Sequence, residues 1–366
     1  MPAGGGPAAV PGSSSTAGGS TPAPTATSAT AGTATGAASW TASKVPAGVG
    51  YLDDVACPSA VRCYAVGGRE FGSGPSWVIT SSDGGSSWRL LYTAQHMWLA
   101  AVACPSVRTC LVVGGSATVT GTGFAPEALV TTDGGASWSS AAVPSGVGAL
   151  SAVACVSTTR CVAVGTDLAL TGDGARSWTD QVLPSGLRFA DTVTCTPAGF
   201  CVIGGSGPGP EASSPSMAAV SHDGGATWSP AVVVGGASAL GAVSCASSQA
   251  CVGLIASGAT DTYGTGTPLV TADGGSTWRR EAVQVGGSVS CVQRFCLSAG
   301  ATYRPARGTF DGAAFVSTDG GTAWAPTPVP ASAGLNAVAC SSPRECVAVG
   351  GNFPDTTVGV IWTYRA

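Results

Sequence analysis

Two short motifs alternate through almost the whole chain, and nothing else about the sequence constrains its fold so tightly. The first reads V-A-C-P-S-x-x-x-C-x-A-V-G with variations, and supplies the cysteine pairs Cys57/Cys63, Cys104/Cys110, Cys155/Cys161, Cys195/Cys201, Cys245/Cys251, Cys291/Cys296 and Cys340/Cys346. The second reads Ser/Thr-x-Asp-Gly-x-x-Ser/Thr-Trp. It sets Asp83, Asp133, Asp173, Asp223, Asp273 and Asp319 five residues ahead of Trp88, Trp138, Trp178, Trp228, Trp278 and Trp324. The repeat length, 40 to 51 residues, is that of one four-stranded propeller blade.

Each unit parses alike. In the second, an inner strand Leu99–Cys104 turns into a second strand Cys110–Gly114. A variable loop then leads to a third strand, Ala128–Thr132, and the Asp-Gly turn to a fourth, Ser137–Val143. Gly, Ser, Thr, Ala and Val dominate, no 3.6-residue apolar period is sustained, and charged residues make up 9% of the chain against about 25% in ordinary soluble proteins. The fold class read from this is all-β, a seven-bladed β-propeller of four-stranded antiparallel blades.

Seven cysteine motifs meet only six Asp-Gly motifs. The last unit stops at its third strand, Val358–Tyr364, while Ser39-Trp40-Thr41 matches the Ser-Trp that closes each Asp-Gly motif. The N-terminal strand is therefore expected to complete the last blade and remove its free edge. The propeller should span 39–366. Residues 1–38, rich in Gly, Ser, Thr, Pro and Ala, are expected to form a disordered linker.

Cysteines flanking a tight turn lie on neighbouring antiparallel strands, within disulfide reach. Zinc is the alternative, but the spacing is not the usual C-x2-4-C and no histidine stands near two pairs, so seven local disulfides are favoured. No metal and no cofactor are expected. Fourteen cysteines imply an oxidising compartment, extracellular or cell-surface. Met1 is followed by neither a charged nor an apolar leader segment, so the export signal is expected upstream. Net charge is −4 with one lysine, Lys44, and no basic run, which argues against nucleic acid as partner. No apolar run is long enough to span a membrane. The expected state is a monomer.

The six aspartates fit a hairpin turn better than catalysis or calcium binding, because a residue present in every unit serves the repeat. The tryptophan should bury its ring beside the next hairpin. His222 occupies a variable turn position and His96 lies between units. The adjacent acids Asp53–Asp54 read as loop-end residues facing water, with a cation site as the alternative. A phosphate loop and a Ser-His-Asp triad find no support.

These residues resemble the Asp-box, or BNR, repeat propellers, most nearly the photosystem II stability/assembly factor. Leu99, Val102, Val113–Gly115 and Thr131–Trp138 carry the likeness in the second unit. The resemblance implies a non-catalytic assembly or binding platform. Sialidases share the Asp-box, yet need an arginine triad. Here the stretch that comes nearest is Tyr303–Arg304–Pro305, and Arg62, Arg108, Arg160, Arg294 and Arg344 fall inside the cysteine turns.

Connectivity puts cysteine turns and Asp-boxes on one face. The other face takes the variable loops, with Arg69, Glu70, Phe71, Phe124, Glu127, Glu211, Asp261, Tyr263, Tyr303, Arg304, Arg307, Phe353 and Asp355. It also takes the inter-unit links, with Tyr51, Trp98, Arg188, Phe189 and Asn336. Aromatic and arginine anchors on rigidly held loops mark binding. Trp98, Arg188, Phe189, Tyr263, Tyr303 and Arg304 are the candidate binding residues, though Trp98 and Phe189 would equally serve to plug the channel. The function expected is a non-catalytic extracellular binding or scaffold propeller for a protein or glycan. The alternative is a sialidase-like glycan hydrolase drawing on Glu70, Glu127, Asp261 and Asp355.

Overall fold

A computed structural model describes residues 38–68, 74–117, 124–144, 146–210, 213–256, 264–304, 309–330, 333–351 and 357–366. Tyr263, Arg69, Glu70, Phe71, Glu211, Asp261, Arg307, Phe353 and Asp355 lie outside them.

Seven antiparallel sheets follow one another along the chain. Blade 1 comprises Asp54–Ala56, Cys63–Gly68, Pro75–Ser81 and Arg89–Gln95, and blade 2 Met97–Ala103, Cys110–Ala117, Phe124–Thr131 and Ser139–Ser140. Blade 3 runs from Leu150–Cys155 to Thr179–Gln181, blade 4 from Phe189–Cys195 to Val232–Ala237, and blade 5 from Leu240–Cys245 to Arg279–Arg280 with Val285–Gly286 added. Blade 6 runs from Ser288–Val292 to Ala325–Pro326. Blade 7 contributes Gly334–Ser342, Glu345–Gly351 and Gly359–Arg365, and its fourth strand is Ser39–Ser43, paired with Gly359–Arg365 from Ser39↔Arg365 to Ser43↔Ile361. The N-terminal strand thus closes the last blade, as the motif count requires. The outer strand of blade 2 is Ser139–Ser140, shorter than the expected Ser137–Val143, its start set back because the Asp-box turn consumes the residues before it.

Middle strands are almost wholly buried, since each blade packs on both faces; Cys63–Gly68 and Cys161–Gly165 have no exposed position. The core is a series of inter-blade clusters rather than one centre. Leu52, Ala65 and Ile79 of blade 1 meet Val347, Val349 and Ile361 of blade 7, and Tyr64 and Val78 meet Leu99 and Leu129 of blade 2.

The Asp-box tryptophans sit in these seams, each toward the preceding blade rather than the next hairpin. Trp88 joins the 7/1 cluster, Trp138 the 1/2, Trp178 the 2/3, Trp228 the 3/4, Trp278 the 4/5 and Trp324 the 5/6. Trp40 fills the same place in the 6/7 seam, with Leu297, Leu335 and Tyr364. A sequence fragment of three residues therefore restores the seventh member of the series.

Candidate functional site

The two faces differ in kind. On one, the Asp-box turn of each blade is tied to that blade's own cysteine turn. Gly84 N donates to Val61 O at 3.0 Å, Gly134 N to Arg108 O at 2.8 Å, Gly174 N to Thr159 O at 2.9 Å, and the contact recurs in blades 4 to 6. In blade 7 the chain end substitutes, with Ala366 N donating to Arg344 O at 3.1 Å.

Within each Asp-box the aspartate is spent on the turn. Asp133 Oδ1 accepts from Thr131 Oγ1 at 2.8 Å and from Ser137 N at 3.0 Å, and Oδ2 accepts from Ser137 Oγ at 2.6 Å. Gly134 and Gly135 at φ 79° and 85° bring these donors around the carboxylate, a conformation that favours glycine. Donation from Ser177, Thr227 and Thr277 holds Asp173, Asp223 and Asp273 down at about 2. Asp319 also lies at about 2, against an opposing burial effect that its hydrogen bonds outweigh, and Asp83 and Asp133 are lowered as well. Carboxylates engaged in this way staple the turn.

The bridges Cys57–Cys63, Cys104–Cys110, Cys155–Cys161, Cys195–Cys201, Cys245–Cys251, Cys291–Cys296 and Cys340–Cys346 are all formed, with Cα–Cα separations of 4.0–4.1 Å, and no cysteine is left free. Directly opposed residues on antiparallel strands, such as Cys155↔Cys161 and Cys245↔Cys251, supply this geometry. Seven disulfides suggest an oxidising environment.

The second cysteine of each pair, Cys201, Cys296 and Cys346 among them, is buried, because it stands at the head of a middle strand packed on both sides. Cys296 meets Val252 and Val270 in the 5/6 seam, Cys346 meets Leu297 and Tyr364 in the 6/7 seam, and Cys201 pairs with buried Ser221 inside blade 4. These sulfurs belong to the core, out of reach of any ligand. His222 is exposed on the Asp-box turn against Phe200, ring centroids 5.3 Å apart; His96 is exposed between blades 1 and 2.

The other face carries the channel mouth. Inner strands of all seven blades line an axial cavity of about 270 Å³. In five blades the inner strand is bulged by one residue: Ala100, Ser151, Asp191, Gly241 and Asn336. Asp53 and Asp54 line the same channel, so the reading of these acids as water-facing loop residues is corrected. Asp54 is half-buried there: Oδ1 accepts from Val55 N and Oδ2 from Val102 N of blade 2, both at 2.8 Å. Burial outweighs these bonds and raises it to about 6. Asp191 on blade 4 is also raised to about 6 by burial, and its Oδ2 has no hydrogen-bond partner. Sequence reasoning passed Asp191 over, because nothing in Phe-Ala-Asp-Thr-Val marks the bulge. Among the described residues no group of three or more His, Cys, Asp or Glu is placed to hold a metal ion.

Beside the channel mouth, blades 5, 6, 7 and 1 surround a second cavity of about 230 Å³, lined by Tyr51, Phe310, Asn336 and several glycines. Over it stands the longest hairpin, Phe295–Arg304 with Thr309–Ser317. Tyr303 packs against Phe310, ring centroids 5.1 Å apart and planes tilted by 49°, and Arg304 Nε pairs with Asp311 Oδ2 at 2.8 Å. Of the other candidates, Trp98 is half-buried at the start of the blade 2 inner strand. Arg188 is exposed before blade 4, donating to Gly209 O at 3.0 Å, and Phe189 is half-buried beside it. The described candidates thus share a face but stand on blades 2, 4 and 6, as three separate groups. Glu127 accepts from Ser116 Oγ at 2.8 Å.

Fold and turns together define a seven-bladed Asp-box β-propeller. The BNR/Asp-box repeat family matches at residues 219–230, the Asp-box of blade 4. No curated protein matches the chain in sequence. Among solved structures it is similar to YCF48 from Cyanidioschyzon merolae, at 15% identity and TM-score 0.61 over 89% of this chain and 98% of that one. It is also similar to YCF48 bound to D1 peptide, at 15% identity and TM-score 0.58 over 89% and 97%. A third likeness is to the Hadza microbial sialidase Hz136, at 12% identity and TM-score 0.50 over 79% and 76%. At such identities the likeness is one of fold, shared by binding proteins and hydrolases.

Proposed function

We propose that the chain is a non-catalytic extracellular or cell-surface binding propeller that takes its partner on the face of the channel mouth. The contrast between the faces carries this reading. One face is consumed by hydrogen-bonded, disulfide-closed turns. The other presents cavities and exposed aromatic and arginine side chains, Tyr303, Arg304 and Arg188 among them. A propeller of similar fold, YCF48, has been solved with D1 peptide bound, which supports a binding use of such a scaffold. The acidic net charge of −4 disfavours nucleic acid, and the partner sought is a protein or glycan.

One observation favours a hydrolase as second reading: Asp54, on the channel wall in blade 1, and Asp191, at the bulge of the blade 4 inner strand, each have a raised proton affinity, the property an acid catalyst needs. Against it, both Asp54 oxygens accept from main-chain N–H groups, that of Val55 beside it and that of Val102 on blade 2, the second bond joining the two blades. Purified protein is expected to leave fluorogenic sialosides and other glycosides intact between pH 4 and 8. Turnover that disappears in Asp191→Asn would replace the binding reading with the hydrolase.

A further inference from the structure

The cavity beside the channel mouth has an unusual lining. Four blades contribute to it, yet none of the described residues that line it is charged. Besides main chain, its lining holds two polar side chains, the Tyr51 phenol and the amide of Asn336, whose Nδ2 donates to Leu52 O at 2.7 Å. That bond fixes the amide and leaves Oδ1 without a partner among the described residues.

Glycines make the main chain available. A Cβ on Gly300 would fall 1.8 Å from Gly264 O, so the blade 5 and blade 6 backbones approach as only glycine permits. Ala301 N donates to Gly264 O across this contact at 3.1 Å. Gly287 and Gly334 have room for little more than a methyl: added Cβ atoms would stand 3.4 Å from Gly264 C and 3.2 Å from Ala301 Cβ. Tyr51 and Phe310 supply the aromatic surface, and Phe310 is held by its tilted ring contact with Tyr303.

At about 230 Å³ the cavity is smaller than the roughly 300–1,000 Å³ of drug-sized sites. It has room for one ring. Carboxylate-bearing ligands, such as sialic acids or a peptide C-terminus, would find no cation among its described lining residues. The neighbouring Arg304 is committed to Asp311. Aromatic faces, a fixed amide and exposed peptide groups instead match a ring with apolar C–H faces and hydroxyls around its edge. We infer that this cavity binds an uncharged sugar ring, one unit of a neutral glycan. The inference rests on the proposed binding role of this face and names its ligand class.

The test is an array of neutral gluco-, xylo-, manno-, galacto- and arabino-oligosaccharides, with sialylated and uronic-acid oligosaccharides and a peptide set alongside, probed with the full chain. The strongest neutral hit is then titrated calorimetrically. Tyr51→Ala, Phe310→Ala and Gly334→Val should each weaken it at least tenfold, while Arg108→Ala on the opposite face leaves it unchanged. Melting temperatures identify any variant that is misfolded, and the two aromatic variants suffice if Gly334→Val is. Binding of charged glycans alone, peptide binding with the same variant dependence, or neutral binding that ignores all three variants would overturn the inference. A blank array with intact capture of a partner by this face would sink the sugar assignment and leave the binding role standing. A blank array and no face-dependent capture would remove both.

Discussion

Trp40 lies edge-on to Tyr364, ring centroids 5.3 Å apart and planes at 61°, although 324 positions separate them in the chain. The two are direct partners in the strand pair that closes the ring, and Trp40 Nε1 also donates to Thr327 Oγ1 of blade 6 at 3.2 Å. One residue near the start thus ties the last blade to its neighbour. Trimming residues 1–35 should leave the melting temperature unchanged, whereas deletion through Pro46 should abolish cooperative unfolding or cause aggregation through the exposed edge. Trp40→Ala should cost about 2–3 kcal/mol, below the fully buried case because the ring is half-buried. Denaturant titration of the three proteins checks all of this, and equal midpoints would contradict the closure.

The disulfides make a second prediction. Each closes a loop of sequence separation 5 or 6 and should contribute about 2 kcal/mol on chain-entropy grounds. Non-reducing peptide mapping should recover seven intra-blade bridges. Removal of a single bridge, for example Cys155→Ala with Cys161→Ala, should lower stability modestly without loss of the fold, because the seams on either side persist. Bridges between blades, or bound zinc in the native protein, would contradict the assignment.

Stability should depend on pH in a defined sense. Asp54 and Asp191 hold protons more tightly folded, at about 6, than unfolded, so the folded chain binds more protons between about pH 4 and 6. Their contribution is complete below that window and is lost as pH rises through 6. The Asp-box carboxylates act oppositely: lowered to about 2, they stabilise above about pH 4 and lose that contribution as pH falls toward 2. The melting temperature should therefore peak near pH 4–5. Asp191→Asn should raise it at pH 7 and flatten the slope between pH 5 and 7; an unchanged slope would mean that Asp191 is not buried as described.

Much of this architecture could be read from the repeat. Asp-Gly followed by Ser/Thr-Trp dictates a turn wherever it occurs, and an isolated Ser-Trp at 39–40 completes a series only if the chain closes on itself. Cysteine pairs around a turn leave little choice of partner, although the burial of Cys201, Cys296 and Cys346 follows from neighbouring blades that the motif itself does not show. The channel was less legible. Asp54 looks like an ordinary loop acid until the ring of inner strands places it on the channel wall, and nothing around Asp191 marks it as the bulged residue of the blade 4 inner strand. The pocket was harder still, since Tyr51, Phe310 and Asn336 meet through ring closure, and its glycines are lost among the 55 in the chain.

The central claim is that function resides on the face of the channel mouth, and face-specific capture tests it most directly. Immobilised protein would be exposed to a cell-surface extract, with the captured material quantified for wild type and for paired alanine variants. Tyr303→Ala with Arg304→Ala, and Trp98→Ala with Arg188→Ala, should each abolish capture at an unchanged melting temperature. Arg108→Ala with Arg344→Ala, in the cysteine turns opposite, should capture as wild type does. Loss confined to the Arg108/Arg344 variant, or equal loss in all three, would contradict the account.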